Sequence, residues 1–344
     1  MRALIVVIIG LALGFFSGAG LFHEIRPQGE VVPLRASALA VEAEPEATLV
    51  AVGDIMLSRA VGRRIASSGD FIFPFRNIAP IIQVADVAFG NLESLIAAGG
   101  EDQGNYFSFR AAPQAAEGLS FAGFDILSLA NNHNMDWGSG ALLETINILS
   151  GRGIRTVGAG KDSEEANASI IINANGIKIG FLAYTLVYQP NPSAGGLATE
   201  TCAGTPPACA GIAQAETSKF SLASAEENVR HLRTEADIVA ISFHWGNEYE
   251  TKSSEEQQVI AHAMIDAGGD LIIGHHPHVV QEVEQYKNGW IAYSLGNFVF
   301  DQYFSKETME GLLLKVDIKG NKIAELSQMK IQLNGDFQPE AVGL

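Results

Sequence analysis

The sequence predicts an α/β protein whose sheet is covered by helices on both faces. Two observations carry that expectation. Short, near-continuous apolar runs alternate with helical patterns from about Thr48 onward, and Asn175-Gly176 stands between two β-rich runs as a hairpin signal. Hairpins require a mixed sheet, or two packed sheets.

In order along the chain, "ATLVAVGD" reads as a strand ending at Asp54, with a helix around Leu57 to Ser67 after it. "VADVAFGNLES" is a strand ending near Asn91, and "FDILSLANNH" one ending near Asn131. An amphipathic helix from about Ala141 to Arg152 and a short strand, "IRTVGA", come next. "SIIINANGIKIGFLAYT" forms the hairpin, "SAEENVRHLRTEA" a helix and "DIVAISFHWG" a strand. "SSEEQQVIAHAMIDAG" opens with a Ser cap followed by Glu, so it is helical. "DLIIGHHPH" is a strand again, and the remainder is largely β with turns at Asn288-Gly289 and Gly320-Asn321.

Apolar residues make up 47% of the 344 residues and charged residues 18%, a globular balance. The formal net charge of −17 excludes broad nucleic-acid binding, which runs on Lys and Arg contacts to phosphate. An anionic substrate would need a local cation in such a molecule.

The N-terminal residues 1–22 have Arg2 and then an uncharged run from Ala3 to Phe22, long enough to span a bilayer. They read as a single-pass signal-anchor, or as a signal peptide if cleaved near Ser17-Gly18-Ala19. Residues 23–47, with Pro27, Pro33 and Pro45, read as a flexible polar tether, and residues 48–344 as one folded domain. The expected location is the cell membrane with the domain outside the cytoplasm, or secretion after cleavage. The two cysteines, Cys202 and Cys209, stand in a Gly/Pro-rich loop and would there close a small disulfide, the alternative being two unpaired thiols.

The decisive pattern is positional. The predicted strands end in Gly53-Asp54, Asn91-Leu92-Glu93, Asn131-Asn132-His133 with Asp136 behind, His244-Trp245-Gly246-Asn247-Glu248, His275-His276-Pro277-His278, and Asn297. In α/β sheets ligands bind beyond the carboxyl ends of strands. Asp54, Glu93, Asn132, His133, His244, His276 and His278 would then meet at one edge. Carboxylate, amide oxygen and imidazole together are ligands for Mn, Fe or Zn, as one or two ions. Each piece has a plainer reading. Asp54 can cap a helix, Glu93 can be a solvated loop carboxylate, Asn131-Asn132 can be turn residues, and His244 can be a satisfied core histidine. The agreement of several strand ends outweighs those readings. Three imidazoles within four residues also repel when protonated.

The motifs "VGDIMLSR", "GNLES", "FRAAP", "GFDILSLANNHNMDWG", "HWGNEY", "IIGHHPHVVQ" and "YSLGNFVFD" resemble the bacterial CapA family of capsule or poly-γ-glutamate biosynthesis proteins, which belongs with the calcineurin-like metallophosphoesterases. The resemblance runs from about Leu49 to Gln302. It implies a four-layer αββα sandwich of the metallophosphoesterase type, here with additional β-hairpins, and a dinuclear metal centre at one edge. It matches Asp54 to the first metal aspartate, Asn132 and His133 to the Asn-His motif, His244 to the lone histidine ligand, and His276 and His278 to the closing pair. His275 is then extra, and is the ligand if the register shifts by one. Two departures stand out. Met56 occupies the place of a family histidine, and Gly90-Asn91-Leu92-Glu93 replaces the usual Gly-Asp with its bridging aspartate, for which Glu93 would substitute.

Three functional readings follow. The first is a metal-dependent hydrolase or transferase acting on an anionic polymer or phosphoester, with His133 as general acid oriented by Asp136. Arg110, or Arg59, would clamp an anionic oxygen, and Trp245 and Asn297 would contact substrate. The second is a non-catalytic anchored component of a polyglutamate synthase or exporter, partnered by the synthase and gripping polymer at the old metal site. The third is a secreted metallophosphatase unrelated to polymer.

Overall fold

The computed structural model describes residues 44–187 and 222–343. The proposed anchor, nearly all of the tether, and the Cys202–Cys209 pair lie outside the described residues.

Two sheets face one another. In chain order the first takes β1 (Glu46–Ile55) and β2 (Val87–Leu92), while β3 (Leu95–Ile96) and β4 (Arg110–Ala111) pair apart as a small ribbon. β5 (Ile126–Ser128) and β6 (Arg155–Val157) return to the first sheet. The second sheet holds β7 (Ile170–Ala174), β8 (Ile177–Thr185), β9 (Ile238–His244), β10 (Leu271–His275), β11 (Val283–Tyr286) and β12 (Gly289–Ala292). β13 (Asn297–Val299), β14 (Glu310–Lys319), β15 (Lys322–Leu333) and β16 (Pro339–Val342) complete the first. The orders are β16-β15-β14-β1-β2-β5-β6, with β13 also on β1, and β11-β12-β10-β9-β8-β7. The central strands of both sheets are parallel, with antiparallel strands at the margins.

Period-two alternation decides which layer each side chain enters. On β1, Leu49 and Ala51 enter the apolar layer between the sheets, while Val50 and Val52 face the opposite way. Phe89 of the first sheet stacks on Phe181 of the second, centroids 5.7 Å apart, across that middle layer. Helices α1 (Arg59–Ser68), α2 (Ala79–Ile82), α3 (Ala116–Ala122) and α4 (Gly138–Ser150) contribute to the core on the outer face of the first sheet. The short α5 (Ser163–Asn167) precedes β7, and α6 (Leu222–Arg233) and α7 (Glu255–Asp266) cover the second sheet. Helix, sheet, sheet, helix: the fold is a four-layer αββα sandwich.

The local signals hold with one adjustment. Asn175 (φ 53°) and Gly176 (φ 92°) form the turn between β7 and β8, and Gly320-Asn321 joins β14 to β15. The Ser254 hydroxyl accepts from Gln257 N–H, whose side chain reciprocates, so α7 begins with a full capping box. The turn expected at Asn288-Gly289 sits one residue earlier. Tyr286 pairs with Gly289, leaving Lys287 and Asn288 at the corners, with Lys287 at φ 52°.

Candidate metal centre

The carboxyl ends of β1, β2, β5, β9 and β10 meet at one edge. β1 gets its side chain there by an irregularity. Ala51 pairs with Phe89 and Asp54 with Asn91, so β1 uses one more residue than β2 over the same interval. That bulge turns Asp54 onto the face that Phe89 and Asn91 share. Gly53 is obligatory beside it, because a Cβ there would lie 2.0 Å from the Gly296 carbonyl oxygen. The close approach lets Asp54 N–H donate to Gly296 O (3.0 Å) and brings Asn297 level with Asp54.

Around Asp54, Asn91 Nδ2 donates to Oδ1 at 2.8 Å and His276 N–H donates to Oδ2 at 3.3 Å. His275 Nδ1 lies 3.2 Å from Oδ1, and His278 Nδ1 lies 3.4 Å from Oδ2. Asn132 Oδ1 faces His244 Nε2 at 2.8 Å. Glu93 Oε1 lies 3.6 Å from His278 Nε2 and 3.8 Å from His133 Nε2. His133 Nδ1 is bonded to Asp136 Oδ2 at 2.7 Å; the same carboxylate accepts from Phe109 N–H (2.7 Å) and Asn105 Nδ2 (2.8 Å). Asn297 Oδ1 meets His278 Nδ1 at 3.0 Å, so Nδ1 donates there and Nε2 faces Glu93.

Electrostatics favour a cation here. Burial alone would raise the Asp54 carboxyl, but His275 and His278 outweigh it and hold Asp54 well below the carboxylate range. Glu93 is pushed well above that range by burial, with the Asp54 charge adding to it. Burial and the neighbouring His276 hold His244 well below its ordinary value. Burial, with His278 adding, brings His276 down to about 3. Burial works against a charge on His278, yet Glu93 and Asp54 raise it to about 9. Two imidazoles thus present lone pairs, while the third carries a proton between two carboxylates.

The residues fit a divalent ion by a second test. Both Glu93 carboxylate oxygens, His275 Nε2 and His276 Nδ1 are buried without a hydrogen-bond partner. Orphaned buried polar atoms cost roughly 1–3 kcal/mol each, more when charged, and demand an explanation such as an ion. Two ligand groups converge among the described residues. Asp54, Glu93 and His244 form one, and Glu248, His276 and His278 the other, with the ligand atoms of each group within 4.8 Å of one another.

Beside the centre lies a cavity of about 310 Å³, lined among others by Arg59, His133, Glu248, Tyr249, His278 and Asp301. Backbone strain gathers there. Arg59 (φ 52°), Tyr249 (φ 67°) and His278 (φ 58°) line the cavity in left-handed conformations, and His276 (φ 97°) lies next to it. Such residues cost roughly 1–3 kcal/mol each and persist where the surroundings enforce them.

Three residues expected to contact substrate are engaged elsewhere. Arg110 donates to Gly99 O at 2.8 Å and lies 3.6 Å over the Trp137 ring, because β4 pairs with β3 rather than entering the cavity. Trp245 follows His244 and so points to the other face, into the helix-side core, where it stacks on Phe243 and donates to Tyr293 O at 2.9 Å. Asn297 is fully buried and touches His278, not the cavity. Arg59, not Arg110, is the guanidinium at the cavity. Glu248 and Asn91 were not singled out from the sequence. Glu248 stood in a strand-end stretch already in view, but only the turn at Gly246 (φ 79°) and the bond from Tyr249 N–H to Pro277 O (2.8 Å) bring it to the histidines.

A sandwich with buried carboxylates, amides and imidazoles at shared strand ends defines a protein of the metallophosphoesterase fold class. The chain belongs to the family described as bacterial capsule synthesis protein PGA_cap, whose family model matches residues 48–302. It is 33% identical over 293 residues to the capsule biosynthesis protein CapA of Bacillus anthracis, covering 83% of this chain and 67% of that one. It is 34% identical over 278 residues to the PGA biosynthesis protein CapA of Bacillus subtilis (strain 168), covering 78% and 67%. The crystal structure of a hypothetical protein from Thermus thermophilus aligns with a TM-score of 0.50 at 14% identity, covering 83% of this chain and 99% of that one, and shows the fold alone.

Proposed function

We propose that this chain is a membrane-tethered, extracytoplasmic component of capsule or poly-γ-glutamate synthesis. On this reading its strand-end centre holds one or two divalent ions and acts on an anionic polymer or phosphoester. The observation that carries the reading is Glu93, a carboxylate with no exposure and no hydrogen-bond partner, set among histidines. Asp54, Glu93, Asn132, His244, Glu248, His276 and His278 would hold the metal. A bound ion supplies Lewis acidity and a water of lowered pKa. The chain's own residues do the rest. Asp136 holds His133 Nδ1 and orients the ring, so His133 Nε2 is the atom that delivers a proton to a leaving group. Phe109 stacks on that ring at 3.9 Å and fixes its plane.

The tether reading rests on the apolar run of residues 1–22, and the Cys202–Cys209 bridge belongs to the same proposal. Among the described residues no helix is long and apolar enough to cross a membrane.

A non-catalytic polymer-binding role is favoured by one observation. Met56, in place of the family histidine, is fully buried with Sδ accepting from Ser58 N–H and Oγ at 3.2 and 3.0 Å, so no imidazole comes from that position. Replacing His133 with Ala separates the two. Catalysis predicts loss of polymer with metal content and fold intact; unchanged polymer means binding or scaffolding alone.

A further inference from the structure

We propose that Asn105 is a positioning residue for the proton donor His133, acting through Asp136 from a loop that also walls the cavity. The inference rests on the proposed function, whose proton-transfer step it deepens.

Residues 97–109 run between β3 and β4 and fold back over the turn that carries Asp136. Gly100 (φ 102°) permits the close approach, because a Cβ there would lie 2.6 Å from the Trp137 carbonyl oxygen. Glu101 N–H then donates to Trp137 O at 3.2 Å, and Gln103 N–H to Asp136 O at 2.9 Å. Asp102 Oδ1 ties the loop internally, accepting from Gly104 N–H (2.9 Å) and Ser108 Oγ (2.7 Å). These bonds deliver the half-buried Asn105 to the Asp136 side chain. An ionised carboxylate only accepts, so the contact at 2.8 Å is Asn105 Nδ2 donating to Oδ1. The other oxygen, Oδ2, serves Phe109 N–H and His133 Nδ1. Asn105 thus sets how the carboxylate plane is turned toward the imidazole. Asp136 is fully buried, and without the amide its Oδ1 would lose a charge-assisted bond in a place shut off from solvent.

The same loop meets the cavity. Phe107 and Phe109 line it, and Phe109 stacks on His133 at 3.9 Å. Arg59 Cζ lies 5.2 and 5.5 Å from their two ring centroids. Polar bonds rather than burial hold the tip, since Tyr106 and Phe107 stand 89% and 48% exposed. Segments fastened in that way open at lower free energy than packed strands. Cavity wall and His133–Asp136 pair therefore move as one unit, and the loop in place is the state in which His133 is aimed.

The test compares Asn105→Ala and Asn105→Gln with the wild-type full chain by NMR, hydrogen exchange and turnover. NMR follows the His133 Nδ1–H signal, and hydrogen exchange follows residues 101–109. Turnover is measured with Mn on ethyl phosphate, whose leaving group needs a proton, and on p-nitrophenyl phosphate, whose leaving group departs without one. Asn105→Ala is expected to displace the His133 signal, to speed exchange roughly 10-fold and to lower kcat on ethyl phosphate roughly 10-fold. Its kcat on p-nitrophenyl phosphate and both KM values should stay near wild type. Asn105→Gln, which keeps the amide, should recover part of each loss. An unmoved His133 signal overturns the proposal. So does an equal fall in kcat on both esters, which a merely structural role would give. A chain that turns over neither ester but shows the displaced signal and its partial recovery supports the positioning role and counts against catalysis. Turnover of both esters with an unmoved signal does the reverse.

Discussion

His133 and Asp136 form a pair whose geometry assigns separate tasks. Asp136 is fully buried and accepts from Phe109 N–H and Asn105 as well as meeting His133, so its position owes nothing to bound substrate. Asp136→Asn is expected to lower kcat by roughly 10²- to 10⁴-fold with KM and metal content little changed, as for a lost general-acid arrangement. Steady-state kinetics on the preferred substrate, with metal analysis of the same sample, check this. Glu93 behaves differently, because neither of its buried carboxylate oxygens has a hydrogen-bond partner within the protein. Glu93→Gln should abolish most of the metal-induced rise in Tm while leaving the metal-free Tm near that of wild type. A bound ion at a hundred times its Kd contributes about 2.7 kcal/mol, so the lost increment is several degrees by scanning calorimetry. At this scale the sequence was legible where chemistry sits at strand ends. Asp54, Glu93, Asn132, His133, His244, His276 and His278 could be nominated because alternation of apolar runs with helices fixes where strands stop. Trp245 and Arg110 could not be placed, since one depends on which face a strand's last residue takes and the other on a two-residue pairing, β3 with β4.

Among the elements, the bulge in β1 and the glycine beside it aim the site. Nothing in "LVAVGD" marks a bulge, because strict alternation would put Asp54 opposite Ala51, away from Asn91. Gly53→Ala meets the Gly296 carbonyl and must push β1 and the 295–297 segment apart. It should destabilise the fold by about 1–3 kcal/mol or more, as overpacking does. It should also reduce bound metal more than an equally destabilising core change. Phe75→Ala serves as that comparison. It removes a fully buried ring from the outer core of the first sheet, edge-on to Phe124 at 5.9 Å, and should cost about 3–5 kcal/mol in denaturant unfolding while the metal ligands stay in place. The hairpin at Asn175-Gly176 and the cap at Ser254 were legible because each is a local device with its own sequence signature.

At the scale of the whole molecule, two sheets must pack together before the site exists. Asp54, Glu93 and Asn132 come from strand ends of the first sheet, and His244, His276 and His278 from the second. The pattern of strands and polar ends left open one mixed sheet or two packed ones, and only the family resemblance implied the sandwich. The choice is made by long-range apolar contacts such as Phe89 with Phe181, which leave no local trace. The central claim is that side chains from both sheets enclose a cation. The most direct measurement is the metal content of the purified full chain after exposure to Mn, Fe or Zn and removal of excess, beside His276→Ala/His278→Ala. The account predicts one or two ions per wild-type chain and a clear loss in the double variant, with circular dichroism unchanged. A folded wild-type chain that retains no metal, or a double variant that retains as much, would contradict it.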